Sequence, residues 1–432
     1  MHRHVVLRTG AASRAAIIAC GLVTAPLSAL AADPGLPAPA TTAASAWSML
    51  FDIDTRFTSW SGTRGTPVAY DLGTPGRGSL FYMPMALQIV GKPNPDLKLE
   101  LMARTGWVDA RQNSGGGLAG RVSALTDTLV SGTMTYLGMP GIQPFVSINA
   151  NLPTGAANLR GTGSFARMDP DLVEVPNFGE GFNLGGTLGA NIPVGEFTLL
   201  TTSISHTYRG PYTRDPVTGF GDPDNRMQPG SSSSASLQVA HMLGALLIKA
   251  GATYIINTAT RIDGAYINRP GETIALTASA GYTWNPDHNT TLSASFSRTN
   301  PNLIFDPAIP AAVREAFNSN SNAVRLRLDH SYRLTEQWMV GAFVSWFNRD
   351  ANAYIPTSGA FSPAKSKWAV GGSARYQVTQ NAALTLRAEH FWVHQHSRPD
   401  VVDPFLGPFP GTAIPAMSFT GWTVSLGGTI TY

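Results

Sequence analysis

The sequence contains little cysteine, little charge and no long hydrophobic run. Its one cysteine, Cys20, lies near the amino terminus, so the rest of the chain has no thiol for a disulfide, for catalysis or for metal binding. Charged residues make up 13% of the 432 residues, whereas soluble proteins average roughly 25%. No segment approaches the ~18 consecutive apolar residues that a transmembrane helix needs. This composition suits neither a typical soluble globule nor a helical membrane protein.

Opposite charges nearly balance along the chain. There are 30 Lys and Arg residues against 27 Asp and Glu residues. Three arginines, Arg3, Arg8 and Arg14, lie in the first 31 residues, which contain no acidic residue, so the remainder is neutral. Nucleic acid binding depends on clustered Lys and Arg side chains that release counterions from phosphates. We therefore expect no nucleic acid partner.

The amino terminus has the parts of a secretory signal peptide. A basic start precedes the apolar run 15–25, and the small-residue motif Ala29-Leu30-Ala31 follows it. We expect residues 1–31 to be a signal peptide that is cleaved after Ala31 on export. Residues 32–46, rich in Ala, Pro and Thr, are expected to form a short disordered lead.

Apolar and polar residues alternate with period two over many segments, which predicts β-strands. At the carboxyl terminus one face is apolar or aromatic and the other is small and polar; the apolar face comprises Trp422, Val424, Leu426 and Ile430. Sixteen such segments predict strands at 47–60, 79–90, 97–107, 121–137, 143–152, 182–192, 196–209, 234–243, 246–257, 272–284, 290–298, 322–334, 337–349, 367–378, 382–396 and 416–432. Short and long connections alternate between them, which is typical of an up-and-down barrel.

A long terminal strand that ends on an aromatic residue, here Tyr432, resembles the insertion signal of Gram-negative outer-membrane barrels. The resemblance covers nearly all of residues 47–432. It implies an all-β fold, a closed up-and-down antiparallel transmembrane β-barrel of about 16 strands, with the lead 32–46 in the periplasm. It also implies a location in the cell outer membrane, with outer-membrane lipid and the barrel-assembly machinery as partners; Tyr432 would be part of the assembly signal.

A barrel in lipid turns alternate side chains toward the hydrocarbon and toward the lumen. An Arg or Lys that faces lipid near the midplane costs about 2–4 kcal/mol, so charged residues on these strands are expected to face the lumen. On strands twelve to fifteen the expected lumenal residues are Arg325, Arg327, Arg333, Arg349, Arg375 and Arg387, offset by Asp329 and Glu389. Strands one and three add a mixed group: Asp52, Asp54, Arg56, Lys98, Glu100 and Arg104.

These two groups predict a basic wall that faces a mixed wall across the lumen. Arg and Lys side chains in a pore favour anions, so the sequence indicates a mild anion preference. The alternative is that pairs of arginine and carboxylate are structural and leave no selectivity.

The longest connection, 153–181, joins strands five and six. Its candidate residues are Arg160, Arg167, Asp169, Asp171, Glu174, Phe178 and Glu180. The third external loop of general porins folds into the lumen, and Pro176, Phe178 and Gly179 are similar to its Pro-Glu-Phe-Gly-Gly stretch. Asn177 stands where that family has a glutamate. The resemblance implies a constriction loop, and the alternative is a purely external loop.

Few residues are candidates for catalysis. His390, His394 and His396 share one face of strand fifteen, which alternation turns toward lipid headgroups, so we expect interfacial histidines and no metal site. His206 and Tyr208 are expected to point inward near the rim, with no nucleophile beside them. We therefore expect no catalytic residue, no metal and no cofactor, with a barrel enzyme kept as an alternative.

The sequence favours a channel for passive diffusion of small hydrophilic or amphipathic solutes, because sixteen strands enclose a water-filled lumen. A second hypothesis is a surface interaction or secretion-assisting barrel whose external loops bind a partner. Both are compatible with a monomer and with a homo-oligomer.

Overall fold

The computed structural model describes residues 47–63, 75–113, 119–168, 171, 175, 178–213, 226–305, 312–358, 360–403, 407–409 and 413–432. The predicted signal peptide, 1–31, and the predicted lead, 32–46, lie outside the described residues and stay predictions.

Sixteen antiparallel strands form a barrel, which confirms the predicted fold class. They are β1 (Trp47–Thr63), β2 (Pro75–Asn94), β3 (Leu97–Asn113), β4 (Ala119–Leu125 and Thr128–Tyr136), β5 (Gln143–Leu152), β6 (Asn183–Val194), β7 (Thr198–Arg209), β8 (Ser232–Leu243), β9 (Leu246–Asn257), β10 (Thr273–Asn285), β11 (His288–Thr299), β12 (Ala323–Arg333), β13 (Trp338–Arg349), β14 (Lys365–Thr379), β15 (Ala382–Gln395) and β16 (Met417–Thr431). Strand β4 counts once because both of its segments pair with β3. Strands β5 and β9 have the predicted bounds.

The barrel closes between its first and last strands. β16 pairs with β1 in antiparallel register, with Thr431 opposite Leu50. The backbone N–H of Tyr432 donates to the carbonyl of Met49 over 2.8 Å, and the N–H of Met49 donates to the carbonyl of Tyr432 over 3.0 Å. A closed barrel leaves no strand edge with unpaired backbone groups, which is the condition for a sheet to cross hydrocarbon.

Side chains of the strands alternate between the two faces of the wall. Leu101, Leu326 and Leu426 lie on the outer face and are 51%, 40% and 56% exposed. On the inner face of β3, by contrast, Val108 and Ala110 are fully buried. The barrel thus presents an apolar outer band, which is the surface of a sheet that spans lipid rather than one that faces water.

Aromatic residues mark both ends of this outer band. Near the short turns, the ring centroids of Trp338 and Tyr376 lie 4.8 Å apart. Near the long connections, those of Trp346 and Trp368 lie 6.1 Å apart. Aromatic side chains prefer the boundary between hydrocarbon and water, so the two groups indicate the two boundaries of the apolar band.

The long connections carry short strands of their own. Six of them form a second sheet: Tyr212–Thr213, Arg226–Gln228, Thr260–Ile262, Ala265–Arg269, Leu303–Phe305 and Ala312–Arg314. Val401–Asp403 pairs with Gly407–Phe409. Within the ranges that the structure describes, no helix is long and apolar enough to cross a membrane.

Candidate functional site

Both ends of connection 153–181 are held by one carboxylate, that of Asp127. Asp127 lies where β4 is interrupted, and its Oδ1 accepts the backbone N–H of Gly155 over 2.9 Å. Its Oδ2 accepts the backbone N–H of Glu180 over 2.7 Å and the side-chain amide of Asn151 over 2.7 Å. The beginning and the end of the connection are thus fixed at the same point of the wall.

From this point the connection runs inside the barrel. Its 3-10 helix, Gly161–Ala166, lies against β3 and β4. A Cβ atom on Gly120 of β4 would lie 2.3 Å from the backbone nitrogen of Ala166 and 2.3 Å from the carbonyl carbon of Phe165. Glycine at position 120 therefore allows an approach to the wall that any side chain would prevent.

Apolar side chains of the connection complete a core inside the barrel. Leu159, Met168 and Phe178 are 5%, 3% and 0% exposed. Burial of such side chains stabilises by about 1.5–3 kcal/mol each. They form one cluster with inward residues of β1–β3 and β14–β16, namely Trp60, Leu80, Tyr82, Val108, Ala110, Ala369, Phe391, Val393, Met417 and Phe419. This side of the lumen is therefore filled at its long-connection end.

Asp171 of the connection contacts the opposite wall. Its Oδ2 lies 2.9 Å from Nη1 of Arg349 on β13 and 3.2 Å from Nζ of Lys365 on β14. In a ring of sixteen strands, β13 and β14 lie half a circumference from β5 and β6, which carry the connection. The Lys365 side chain is 3% exposed. The connection therefore crosses the lumen, and a buried ion pair fixes its far contact.

The other candidate residues of this connection lie apart from that contact. Arg167 donates from Nη2 to a backbone carbonyl of the same connection over 3.0 Å, and its guanidinium lies 6.0 Å from the ring centre of Phe178. Arg160 and Glu180 are exposed. Two candidates, Asp169 and Glu174, lie outside the described residues.

The basic wall consists of the inward Lys and Arg residues of β12–β15: Arg325, Arg327, Arg333, Arg349, Lys365, Lys367, Arg375 and Arg387. Aromatic rings support several of them. The guanidinium of Arg327 lies 4.0 Å from the ring centre of Phe343, and that of Arg325 lies 4.6 Å from the ring centre of Phe347. Such cation–π contacts orient a charge without neutralising it.

Sequence reasoning missed Lys365, Lys367 and the phenylalanine rings of this wall. The predicted strand fourteen begins at residue 367, which left Lys365 in a connection. Lys367 lies over the ring of Phe391, with Nζ 4.6 Å from its centre. The alternation of Lys365 and Lys367 with the outward Trp368 is the signal that could have extended the strand and assigned both lysines to the lumen.

Carboxylates cancel part of the basic wall. Arg327 Nη2 lies 2.7 Å from Asp329 Oδ1, and the carboxylate of Asp171 contacts Arg349. Arg325 has no carboxylate within 4.0 Å among the described residues, and it is exposed although it points inward. Solvent therefore reaches Arg325 inside the barrel, and of the carboxylates that the structure describes only that of Asp171, beyond 4.0 Å, acts electrostatically on its charge. At the short-turn end, Arg333 is exposed as well.

The mixed group of β1 and β3 pairs within its own strands. Asp54 contacts Arg56, and Lys98 Nζ lies 2.9 Å from Glu100 Oε1. Asp52 Oδ1 accepts a threonine hydroxyl of β16 over 2.8 Å. Only β16 separates β1 from β15, while the strands opposite β13–β15 are β5–β7. The basic wall therefore lies beside the mixed group and does not face it as predicted, because strand order around the ring decides which walls are opposite.

The surface opposite the basic wall is rich in hydroxyl groups and carries one inward charge among its described residues, that of Arg209 at the long-connection end of β7. This hydroxyl wall comprises the inward residues Ser147, Asn149, Thr187, Asn191, Thr201, Ser203, Ser205, Ser234, Ser236 and Gln238. The hydroxyl of Ser203 lies 2.7 Å from that of Ser236, and the hydroxyl of Ser205 lies 2.7 Å from that of Ser234. The hydroxyl wall can exchange hydrogen bonds with a hydrated solute without attracting or repelling its charge.

The histidines of β15 lie on the outer face, as alternation predicts. The ring centroid of His390 lies 4.4 Å from those of Trp392 and Trp422, both of which are about half exposed. His394 Nδ1 lies 3.1 Å from a serine hydroxyl of β16. In the part of the chain that the structure describes, no group of three or more His, Cys, Asp or Glu residues could hold a metal ion.

The prediction that His206 and Tyr208 point inward is wrong. Both share the outer row of β7 with Ile204, which is 62% exposed, and Tyr208 is itself 44% exposed. His206 Nδ1 lies 2.8 Å from the hydroxyl of Ser233 on the same outer face. Because a histidine near the rim is polar, we expected its side chain to face the lumen. The apolar residues of the strand determine its orientation instead.

A closed antiparallel barrel, an apolar outer band, aromatic boundaries and a charged lumen are together the architecture of a porin-like outer-membrane β-barrel. No family model matches the chain, and no curated protein matches it.

Solved structures of outer-membrane barrels are similar to the chain at low identity. An outer membrane channel from Pseudomonas putida F1 is 12% identical with a TM-score of 0.40, over 60% of this chain and 90% of that one. An anion-selective porin from Comamonas acidovorans is 11% identical with a TM-score of 0.40, over 89% of this chain and 100% of that one. A BenF-like porin from Pseudomonas fluorescens Pf-5 is 9% identical with a TM-score of 0.42, over 89% of this chain and 99% of that one. Similarity at this level carries no argument about function.

Proposed function

We propose that the chain is an outer-membrane channel through which small hydrophilic or amphipathic solutes diffuse passively, with a preference for anions. The observation that carries the proposal is Arg325, an exposed arginine that points into a sixteen-stranded barrel and has no carboxylate within 4.0 Å among the described residues. A positive charge that no carboxylate contacts directly attracts anions in a solvent-filled lumen, and Asp171 acts on it only from beyond 4.0 Å.

In this proposal the long connections lie outside the cell and the short turns lie in the periplasm. Residues 1–31 direct export and are removed, and the barrel-assembly machinery inserts the barrel. Connection 153–181 acts as the constriction, because its apolar side chains fill the lumen beside β14–β16 and β1–β3. Solutes then pass on the other side of the connection, between the hydroxyl wall and the arginines of β12.

A second candidate function is a surface barrel that binds a partner through rigid external connections. Asparagines tie these connections together: Asn302 accepts from the side-chain amide of Asn320 over 3.1 Å, and the backbone N–H of Asn302 donates to Glu315 over 2.7 Å. Asn352 donates to the carbonyl of Ser319 over 3.3 Å. Such a network would present a fixed surface to a partner.

Planar-bilayer recording separates the two functions. For the channel, we expect discrete single-channel steps from purified protein, and a zero-current potential across a KCl gradient whose sign reports greater permeability to chloride. A barrel that folds and inserts but conducts no current would reject the channel in favour of the surface barrel. A channel more permeable to potassium would reject only the anion preference.

A further inference from the structure

A groove of about 680 Å³ lies on the outer surface of the barrel near its long-connection end. It crosses β15, β16 and β1–β4, and its floor is formed by the small outward residues Ser59, Ser61 and Ser79. Phe57, the preceding outward residue of β1, is 48% exposed, whereas the neighbouring Trp60 points inward and is 5% exposed. The serines therefore belong to the outer row, and they leave a depression where the rest of that row is bulky.

Among the described residues, the inner side of the groove's floor is covered, so the groove opens to the outside of the barrel. The ring of Trp60 lies beneath Gly78, and the ring of Phe391 lies beneath Gly421. The backbone of connection 153–181 lies beneath Gly120. The groove is therefore separate from the lumen and from the proposed solute path.

Three arginines, Arg77, Arg111 and Arg121, line one side of the groove. Asp109 orders two of them, since its Oδ1 lies 2.8 Å from Arg111 Nε and its Oδ2 lies 3.0 Å from Arg121 Nη2. Both guanidinium groups stay accessible, with side chains 58% and 63% exposed. Each guanidinium carries five N–H donors, so one shared carboxylate leaves donors and net positive charge for a further anion.

The other side of the groove is aromatic. Trp422 is 55% exposed, and the ring of His390 lies 4.4 Å from it. On β3, Arg111 follows Trp107 by four residues in the same outer row, about 13 Å further toward the long-connection end at ~3.4 Å per residue. The arginines thus lie just beyond the aromatic boundary of the apolar band, at the depth where lipid headgroups carry their phosphates.

We propose that this groove binds the phosphorylated headgroup of a glycolipid in the outer leaflet. The arginines bind phosphate oxygens, the serine hydroxyls bind sugar hydroxyls, and Trp422 packs against the sugar ring or the first acyl carbons. Arginine suits phosphate because its planar fork of donors matches two oxygens at once. The inference rests on the proposed outer-membrane location, but not on conduction.

Native mass spectrometry of the purified barrel in detergent tests the proposal, with diphosphoryl lipid A and its dephosphorylated form as probes. We expect diphosphoryl lipid A to be retained at least about tenfold more strongly, as charge-assisted hydrogen bonds of this kind allow. The triple variant Arg77→Ser, Arg111→Ser, Arg121→Ser should lose that preference. Arg298→Ser should keep it, since Arg298 is an exposed outward arginine of β11, outside the groove.

A second variant keeps all three arginines and fills the groove. Ser79→Trp adds an aromatic ring to the outer face near the boundary, where tryptophan is well tolerated, and should also abolish retention of diphosphoryl lipid A. A heat-dependent shift in gel mobility checks that each variant is folded. Equal retention by wild type and both variants would overturn the proposal.

Two other outcomes would also overturn it. Displacement of the lipid by millimolar inorganic phosphate would show a site for free phosphate rather than for a lipid. Dissociation of an oligomer in the triple variant, with lipid retention unchanged, would assign the groove to contact with a second copy of the chain. A barrel that conducts and binds no lipid would reject only this inference and leave the channel function intact.

Discussion

The carboxylate of Asp171 lies 2.9 Å from the guanidinium of Arg349, half a barrel away from the strands that carry the connection of Asp171. The same connection is held at its origin by Asp127. A segment fixed on both sides of the lumen acts as a strut rather than as a free loop. Its attachment should therefore control the cross-section of the pore.

Asp171→Asn should release the far end of this strut. The substitution removes the charge that compensates Arg349 and the buried Lys365, and breaking a buried ion pair costs about 3–5 kcal/mol. We expect larger and noisier single-channel conductance in planar bilayers. Glu180→Gln is the matched control, because Glu180 is an exposed acid of the same connection, and its conductance should equal that of wild type. Unchanged conductance in Asp171→Asn would show that the ion pair does not hold the connection.

Gly120→Ala should push the 3-10 helix of the connection away from β4. The added methyl group would lie 2.3 Å from the backbone of Ala166, so the 3-10 helix must move, and overpacking of this kind costs about 1–3 kcal/mol. We expect a lower thermal midpoint together with altered conductance. Gly281→Ala is the control, since a Cβ atom there meets nothing closer than 3.5 Å and should be neutral. Equal effects of the two substitutions would contradict the close approach at Gly120.

The sequence predicted the barrel because period-two alternation reports which residues face lipid, and lipid enforces that pattern on every strand. Rows such as Trp422, Val424 and Leu426 therefore sufficed to place sixteen strands in order. The pattern also assigned Arg325 and Arg327 to the lumen, where the structure has them.

Contacts across the lumen could not be predicted in the same way. Alternation reports which strand residues face the lumen, but nothing in a strand pattern reports which residues meet after the sheet closes. Asp171 and Lys365 also lay in predicted connections, where alternation assigns no face. Asp127 was missed for a related reason, because its role depends on an interruption of β4 that brings two distant backbone N–H groups to one carboxylate. His206 was misplaced because its polarity was weighed above the apolar row of its own strand.

Charge removal should distinguish arginines that are cancelled from those that are not. Arg325→Ser removes a charge that no carboxylate contacts directly among the described residues. We expect the ratio of chloride to potassium permeability to fall about fourfold, since a unit charge ~10 Å away in water changes the energies of the two ions by about 0.4 kcal/mol each in opposite directions. The double variant Arg327→Ser, Asp329→Ser removes a neutral pair and should leave that ratio nearly unchanged. The zero-current potential across a KCl gradient measures both.

The effect of Arg325→Ser should also depend on salt. The Debye length falls from about 30 Å at 0.01 M to about 3 Å at 1 M, so the difference from wild type should fade as salt rises. Arg298→Ser, on the outer face, should have no effect at any salt concentration. A ratio that is the same in wild type and Arg325→Ser at low salt would contradict the role of Arg325 in selectivity.

Substitutions of the terminal residue, Tyr432, can distinguish an effect on stability from an effect on assembly. The Tyr432 side chain is 68% exposed on the outer face, while its backbone closes the barrel against Met49. Tyr432→Asp keeps those backbone hydrogen bonds and places a charge at the boundary of the apolar band, where the cost is about 0–1 kcal/mol. Refolding in detergent should therefore be nearly normal.

Outer-membrane abundance of Tyr432→Asp in cells should nevertheless fall several-fold if the assembly machinery recognises the terminal aromatic residue, and Tyr432→Phe should restore it. Equal abundance of the aspartate and phenylalanine variants would show that Tyr432 is not part of the assembly signal, and a joint loss of refolding and abundance would assign it to stability instead.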